Sequence, residues 1–268
     1  MTQFETINIT VVIPSYKVKS HIENVVKTLP DFVNNIVVID DKCPQGSGEF
    51  IESLNIPKVT VIFHKSNQGV GGAITTGYKK AIGLNSDVIV KVDGDGQMNP
   101  DYIEKLITPI IKNQADYTKG NRFSDFKALR KMPKMRLFGN SALSFLVKAS
   151  SGYWNMMDPT NGFTAINKNA VLGLDLDKLS KRYFFESDML INLNIENSVV
   201  KDVSIAAKYD DEESSLSIIK VLFDFPPKLF KGFLKRIFYK YYIYDFNMAS
   251  IYMLLGFPMF LFGFFFGS

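Results

Sequence analysis

The sequence predicts an α/β protein built on a doubly wound, mainly parallel β-sheet. Apolar, β-branched runs recur in its first half and are continuous rather than alternating, which is typical of strands buried on both faces of a parallel sheet. These runs are residues 9–13, 36–39, 59–63 and 88–92. The segments between them are long enough for crossover helices, and strand, helix and strand in repeated order favour a doubly wound layer.

Each element of this layer is predicted in turn. The crossover helices are expected at residues 21–29, 48–54 and 72–83. After Asp95 the pattern is less regular. It predicts, in order, a helix at residues 101–112, a short strand at 117–122, a basic loop at 124–135 and helices at 137–149 and 182–197.

The end of the chain has a different composition from the rest. Residues 249–268 include no charged side chain, and about 20 apolar residues can cross a bilayer as a helix. A buried core helix is the alternative interpretation. The apolar run continues to the last residue, so we expect a longer natural protein.

A basic and aromatic segment precedes the apolar run. Its apolar residues recur at helical spacing, and a basic amphipathic helix beside a membrane span favours an anionic cytoplasmic surface. Its basic residues are Lys228, Lys231, Lys235, Arg236 and Lys240. The positive-inside bias then places the N-terminal domain in the cytosol. We predict a catalytic domain at residues 1–217, a membrane-surface segment at 218–246 and a transmembrane helix at 247–268.

The bulk composition excludes several classes of protein. The 268 residues are 46% hydrophobic and 22% charged, which suits one sizeable domain with an appendage. The net charge of +4 is too small to indicate a nucleic-acid partner. One cysteine, Cys43, excludes an internal disulfide and fits a reducing compartment. Homo-oligomer formation is left open.

Two carboxylates follow the fourth predicted strand, in Asp93-Gly94-Asp95-Gly96-Gln97. Alternate residues of an extended chain point the same way, so Asp93 and Asp95 can converge on one point. A divalent cation bridging a nucleotide diphosphate needs this arrangement. A simple turn is the alternative, because Asp and Gly are also turn residues.

Polar motifs also follow the second and third strands. Asp40 and Asp41 end the second strand, where a carboxylate can accept a hydrogen bond from a base or a ribose, or can cap a helix. The segment 67–73 carries three glycines at a strand-to-helix junction. Such a junction suits phosphate or ribose at a helix N-terminus, or tight packing alone. Neither a Rossmann fingerprint nor a P-loop is present.

These motifs together resemble those of family 2 glycosyltransferases. Segments 11–16, 37–41, 67–73 and 93–97 occur in the order and spacing of that family. Most similar are the polyprenyl-phosphate glycosyltransferases of the dolichyl-phosphate mannose synthase type. The resemblance implies the GT-A fold and covers about residues 8–217, with the apolar tail also matching.

The resemblance implies site residues at matching positions. The nucleotide-sugar site would be formed by Pro14, Tyr16, Asp40, Asp41, Asn67, Gly69, Gly71, Asp93, Gly94, Asp95, Gln97 and Lys208. Mg²⁺ or Mn²⁺ would be held by Asp93, Asp95 and Gln97. The acceptor phosphate would be bound by Arg122, Arg136 and Asn140. Asp158 belongs to the family's acceptor-side motif, and we count Asp93, Asp95, Asp158 and Asp188 as catalytic candidates.

The implied activity is the inverting transfer of one sugar from a UDP- or GDP-sugar to polyprenyl phosphate, for cell-envelope glycan or glycoconjugate synthesis. Lys17 and Val18 replace the family's frequent Asn-Glu, which leaves the base open. With a sugar hydroxyl as acceptor, Glu186 and Asp188 would supply an acid/base pair or merely favour a helix N-terminus. A non-catalytic scaffold and a sugar nucleotidyltransferase are further alternatives, which Asp93 and Asp95 and the absence of an Arg-containing glycine loop after the first strand speak against.

Overall fold

A seven-stranded sheet forms the centre of the described protein. The computed structural model describes residues 6–124, 134–206 and 218–267. The sheet order is β3-β2-β1-β4-β6-β5-β7. The strands are β1 (Ile9–Ser15), β2 (Asn35–Asp40), β3 (Val59–Phe63), β4 (Val88–Lys91), β5 (Tyr117–Asn121), β6 (Thr164–Asn167) and β7 (Val200–Ser204).

Helices cover both faces of this sheet. They are α1 (Ile22–Lys27), α2 (Ser47–Ser53), α3 (Val70–Gly83), α4 (Ile103–Ile111), α5 (Lys134–Ser151), α6 (Lys168–Gly173), α7 (Phe185–Ile195), α8 (Ile218–Phe238) and α9 (Met248–Phe266). Short 3₁₀ turns lie at Pro100–Tyr102, Arg122–Ser124 and Leu176–Lys178, and a π-helical segment lies at Tyr239–Tyr244. The predicted α/β architecture is confirmed.

The parallel half of the sheet follows the apolar runs. β1 pairs in parallel with both β2 and β4, and β2 pairs in parallel with β3. Because successive strand residues face opposite sides, Val12 lies in the core beneath α3 while its neighbours Val11 and Ile13 lie in the core beneath α1 and α4. Both faces of β1, β2 and β4 are therefore buried, as the continuous runs predict. For β3 this prediction is wrong, because β3 lies at the sheet edge, none of its residues is buried, and Thr60 and Phe63 are exposed.

Two strands were not predicted, β6 and β7. β6 has only four residues and runs antiparallel between β4 and β5. β7 has the mixed sequence Val-Lys-Asp-Val-Ser and lies at the sheet edge beside β5. The register of β6 has one important result: Thr164 pairs with Lys91 on one side and with Lys119 on the other. Both lysines therefore lie in one row on one face of the sheet.

α8 packs on the α/β layer with one face and presents an outer surface with the other. It contacts α5 and α7, and Arg236 is buried there. Arg236 Nε donates to Ser150 O at 2.8 Å and Nη2 donates to Ala149 O at 3.2 Å. These are carbonyls of the last turn of α5, which need external donors. Arg236 thus caps α5 instead of facing a membrane surface as the sequence suggests.

The N-terminus of α9 is capped by side chains. Asn247 and Ser250 form a reciprocal capping box at its first turn. In the described part of the chain, α9 is the one helix long and apolar enough to cross a membrane. Its large apolar side chains are exposed, including Phe257 and Phe264.

Gly77 sets the approach of α3 to β1. A Cβ atom at Gly77 would lie 2.2 Å from Val12 Cγ1 in the core, whereas a Cβ at Gly83 of the same helix would meet nothing within 4 Å. We expect Gly77→Ala to lower the free energy of unfolding of the full chain by about 1–3 kcal/mol, because overpacking forces the helix away from the strand. Denaturant unfolding in detergent measures this.

Gly83→Ala is the matched control and should leave stability unchanged or raise it by up to about 1 kcal/mol. Equal stability changes at the two positions would show that the Val12 contact does not set the helix position.

Candidate functional site

Polar side chains gather at the carboxyl edge of the parallel strands. Tyr16 follows β1, Asp40 and Asp41 end β2, and Asp93 and Asp95 follow β4. Because β1 lies between β2 and β4, these groups share one edge. Tyr16 is exposed, with the ammonium of Lys17 5.5 Å from its ring centroid.

Asp41 holds the glycine segment onto the sheet. It is buried, and its Oδ1 accepts from Gln68 N at 2.8 Å while its Oδ2 accepts from Gly69 N at 2.7 Å. Oδ1 also lies 2.8 Å from His64 Nδ1, and Asn67 Nδ2 donates to Asp41 O at 3.1 Å. The carboxylate therefore fixes the start of α3 from inside the protein.

Asp40 has a comparable role at α2. Its Oδ1 accepts from Cys43 N and its Oδ2 accepts from Gly48 N, both at 2.8 Å. Asp40 is also buried. The helix-capping alternative describes these contacts, and contact with a nucleotide stays a prediction.

The glycines before α3 allow close packing within the chain. Gly69 has φ +85°, a conformation that favours glycine, and a Cβ there would lie 2.7 Å from Lys181 O. At Gly71 a Cβ would lie 2.2 Å from Ser180 O and 2.8 Å from Phe185 Cβ. The segment before α7 thus rests on this turn. Binding of a donor by these glycines remains a prediction.

Asp93 and Asp95 offer oxygen ligands of the kind that Mg²⁺ and Mn²⁺ prefer. Both are partly exposed, and Asp95 Oδ1 accepts from Gln97 N at 3.0 Å. Within residues 6–124, 134–206 and 218–267, no three His, Cys, Asp or Glu side chains form a closed metal site. As two neighbouring carboxylates, Asp93 and Asp95 fit a divalent cation that takes its remaining ligands from elsewhere.

Behind Asp93 lies a charge cluster of Lys91, Asp93, Lys119 and Glu186. Lys91 Nζ lies 3.0 Å from Asp93 Oδ1 and 3.0 Å from Glu186 Oε1, and it donates to Gly162 O at 3.0 Å. Lys119 Nζ lies 3.4 Å from Glu186 Oε2. The lysine side chains are 2% and 0% exposed, against 12% for Glu186 and 31% for Asp93.

The cluster shifts the proton affinities of its members. Burial would raise the pKa of Glu186, but Lys91 and Lys119 outweigh burial and hold that pKa below its usual value. Burial would lower the pKa of Lys91, yet Asp93 and Glu186 raise it. Burial and the neighbouring Lys91 lower the pKa of Lys119. Glu186 is consequently a weak base in this setting.

Arg122 and Asp158, both predicted to lie on the acceptor side, form an ion pair. Arg122 Nε donates to Asp158 Oδ2 at 2.7 Å and Nη2 donates to Oδ1 at 3.1 Å, a bidentate contact. Asp158 is buried and also accepts from Arg122 N at 3.3 Å. It fixes the guanidinium at the end of β5.

The remaining predicted site residues are Pro14, Gly94, Arg136, Asn140, Asp188 and Lys208. Arg136 and Asn140 belong to α5, but their side chains are outside the described part, as is Lys208. Pro14 lies within β1, and Gly94 lies against Val18, whose Cγ2 would be 3.0 Å from an added Cβ. Asp188 Oδ2 accepts from Ser180 N at 2.8 Å and Oδ1 accepts from Asn192 Nδ2 at 3.0 Å.

Sequence reasoning missed Lys91 and Lys119. Each lysine lies within a strand whose neighbours are buried, and a buried ammonium group needs a partner. The sequence does not show that these lysines are buried, because their burial depends on the pairing of β6 with β4 and β5. The pairing of Arg122 with Asp158 depends on the loop that joins α5 to β6, which no local pattern specifies.

Comparisons with known proteins identify the family of the chain. The model of the family "Glycosyl transferase family 2" matches residues 10–173. The UDP-N-acetylglucosamine–dolichyl-phosphate N-acetylglucosaminyltransferase of Methanococcus voltae is 34% identical over 215 residues, covering 73% of this chain and 85% of that protein. The undecaprenyl-phosphate mannosyltransferase of Micrococcus luteus is 28% identical over 183 residues, covering 66% of this chain and 74% of that one.

A solved structure has the same fold. Glucosyl-3-phosphoglycerate synthase from Mycobacterium tuberculosis, in complex with Mn²⁺, UDP and glucosyl-3-phosphoglycerate, superimposes with a TM-score of 0.64 at 15% identity. The match covers 87% of this chain and 81% of that chain.

The hydrogen bonds of Asp41 lead to a testable stability change. An amide at this position would direct N–H toward another donor, so we expect Asp41→Asn to lower the free energy of unfolding by about 1–3 kcal/mol. Amide exchange at Gln68 and Gly69 should also become faster. Denaturant unfolding and hydrogen-exchange mass spectrometry measure the two effects.

Asp87→Asn is the matched control, because Asp87 Oδ2 accepts one backbone bond, from Asn8 N at 2.8 Å, on an exposed site. It should change stability by less than about 1 kcal/mol and should leave exchange at Gly69 unaltered. Unchanged exchange in Asp41→Asn would mean that Asp41 does not hold the glycine segment.

Proposed function

The chain belongs to glycosyl transferase family 2. We propose that it transfers one sugar from a UDP- or GDP-sugar to a polyprenyl phosphate at the cytosolic face of a membrane. The transfer would invert the configuration at the anomeric carbon. The polyprenyl-phosphate transferases among its relatives support this acceptor class. The product would be a glycolipid for cell-envelope glycan or glycoconjugate synthesis.

The observation that carries this proposal is that both candidate bases, Glu186 and Asp188, already have partners for their carboxylate oxygens. Each oxygen of Glu186 contacts a lysine ammonium, and both oxygens of Asp188 accept hydrogen bonds. A sugar hydroxyl would need a base to take its proton. A phosphate monoester has a second pKa of about 6 and is already a nucleophile at neutral pH. The site therefore favours a phosphate acceptor.

The residues at the edge suit the parts of such a reaction. A phosphate oxygen would attack the anomeric carbon, the bond from that carbon to the donor diphosphate would break, and the electron pair would leave with the nucleoside diphosphate. Arg122, oriented by Asp158, presents a planar cation to the acceptor side. Arg136 and Asn140 on α5 complete the predicted contacts to the acceptor phosphate, and Lys208 is predicted to contact the donor diphosphate.

Asp93 and Asp95 would hold Mg²⁺ or Mn²⁺ together with the donor diphosphate, with Gln97 beside them. When bound, the metal would neutralise charge on the leaving diphosphate. The tyrosine ring of Tyr16 and the ends of β1 and β2 would receive the base and ribose. The Mn²⁺ and UDP in the mycobacterial synthase support a divalent metal and a nucleotide at this kind of fold.

The outer surface of α8 supports attachment to a bilayer. Phe223, Phe230, Leu234 and Phe238 are exposed and recur at helical spacing on one side, opposite the face that packs on α5 and α7. Lys228, Lys231 and Lys235 lie along one flank of that side. Followed by α9, this helix would lie in the membrane interface and α9 would cross the bilayer.

The activity is tested with purified full-length protein, Mn²⁺ or Mg²⁺, a panel of UDP- and GDP-sugars, and undecaprenyl phosphate. We expect formation of a glycolipid with an inverted linkage to depend on the metal. We expect Asp95→Ala to abolish this product, because the metal that would bind the donor diphosphate loses one of its protein ligands. Mass spectrometry and linkage analysis by NMR identify the product.

Asp101→Ala is the control, since Asp101 is an exposed carboxylate just beyond the same loop. It should keep wild-type turnover. Transfer to a sugar hydroxyl with no lipid-phosphate product would refute the phosphate acceptor, and wild-type turnover in Asp95→Ala would refute the metal assignment.

The membrane position of α8 is tested with single-cysteine variants made in a Cys43→Ser background. A nitroxide at Phe230→Cys should be more accessible to oxygen than to a water-soluble nickel complex in liposomes, because the aromatic stripe lies among acyl chains. A nitroxide at Lys228→Cys should show the reverse order. Power-saturation EPR measures both, and equal nickel access at the two positions would place α8 in water.

A further inference from the structure

The charge cluster of Lys91, Asp93, Lys119 and Glu186 has no explanation in stability alone. Burying charged groups is costly, and apolar residues of similar volume are often as stable in such a place. Here two lysines are almost completely buried on the row set by Thr164. We therefore look for a functional role of this cluster at its more exposed end.

The more exposed end faces the donor side. Asp93 and Glu186 are the two members with measurable exposure, and Lys91 bridges them with contacts of 3.0 Å to each. The distance between Asp93 Oδ1 and Glu186 Oε1 therefore cannot exceed the sum of these two contacts. The sugar of a nucleotide-sugar is bonded directly to the diphosphate that Asp93 helps to hold. A sugar that extends from this diphosphate toward α7 would therefore meet Glu186.

Gly162 packs closely against this pair. A Cβ at Gly162 would lie 2.4 Å from Lys91 Nζ and 2.9 Å from Asp93 Oδ2, so a larger residue would push one of these side-chain ends aside. Glycine at this position therefore lets Lys91 and Asp93 keep their 3.0 Å contact.

We propose that Glu186 accepts hydrogen bonds from hydroxyls of the transferred sugar, and that Lys91 and Lys119 are positioning residues that fix its carboxylate for this contact. This rests on the proposed function, because it takes a nucleotide-sugar as the ligand. A carboxylate fixed at both oxygens keeps lone pairs for hydroxyl donors and loses no rotamer freedom on binding. Glu186 thereby selects sugars with a hydroxyl at the matching position.

The test compares two affinities in the same preparation. Isothermal titration calorimetry of the full chain in detergent with Mn²⁺ gives the Kd of UDP and GDP and the Kd of each UDP- and GDP-sugar of the transfer panel. For Glu186→Gln we expect an unchanged Kd for the nucleoside diphosphate and an approximately tenfold or greater rise in Kd for the preferred nucleotide-sugar, the size expected for one charged hydrogen bond. Glu196→Gln, at the exposed end of α7, should change neither value.

A charge-balanced variant covers the case in which Glu186→Gln does not fold. Glu186→Gln with Lys119→Met removes one negative and one positive charge and leaves the Lys91–Asp93 pair intact. It should show the same selective loss of sugar affinity. Lys119→Met alone should shift the sugar Kd in the same direction by a smaller factor.

Three outcomes would overturn the inference. They are wild-type affinity for the nucleotide-sugar in Glu186→Gln, an equal loss of affinity for nucleoside diphosphate and nucleotide-sugar, and failure of both Glu186 variants to fold. The proposed function fails separately, when the wild-type protein binds nucleotide-sugar and the affinity ratio shifts as expected but polyprenyl phosphate receives no sugar.

Discussion

Charge balance between β4, β5 and α7 is the constraint on which the candidate site depends. Two ammonium groups lie in strands with almost no exposure, and each must face a carboxylate, because removing one partner of a buried pair costs about 3–5 kcal/mol. Glu186 meets both lysines only if α7 starts beside the ends of β4 and β5. The segment before α7 then has to pass over the glycines that open α3. One electrostatic requirement thus joins elements that are distant in sequence.

The parallel half of the fold was accessible from sequence because its signal is local. Continuous apolar runs at β1, β2 and β4 follow from burial on both faces, and the crossover helices follow from spacing alone. β3 has such a run too, although it is a partly exposed edge strand. β6 and β7 gave no such signal. β6 is four residues long and owes its place to pairing with two other strands, while β7 is a polar edge strand. Short strands stabilised by non-local pairing cannot be recognised from period or composition.

For the candidate site, the positions of several residues could be predicted from the sequence, but their contacts could not. Asp93, Asp95, Asp40 and Asp41 were found because they end strands, and the ends of neighbouring parallel strands meet. What each carboxylate contacts was not accessible. Asp41 binds the glycine segment 27 and 28 residues away, and Asp158 reaches Arg122 across 36 residues. Lys91 and Lys119 were hidden because a lysine in a strand looks like an ordinary surface residue until its neighbours on the sheet are known.

The contact between Arg236 and the end of α5 has a mechanical consequence. The helix that carries Arg136 and Asn140 is fastened by its last carbonyls to the helix that leads toward α9. α5 and α8 are therefore joined at these carbonyls. If α8 lies in a membrane interface, as proposed, the height of Arg136 and Asn140 above the lipid headgroups would be set in part through this joint.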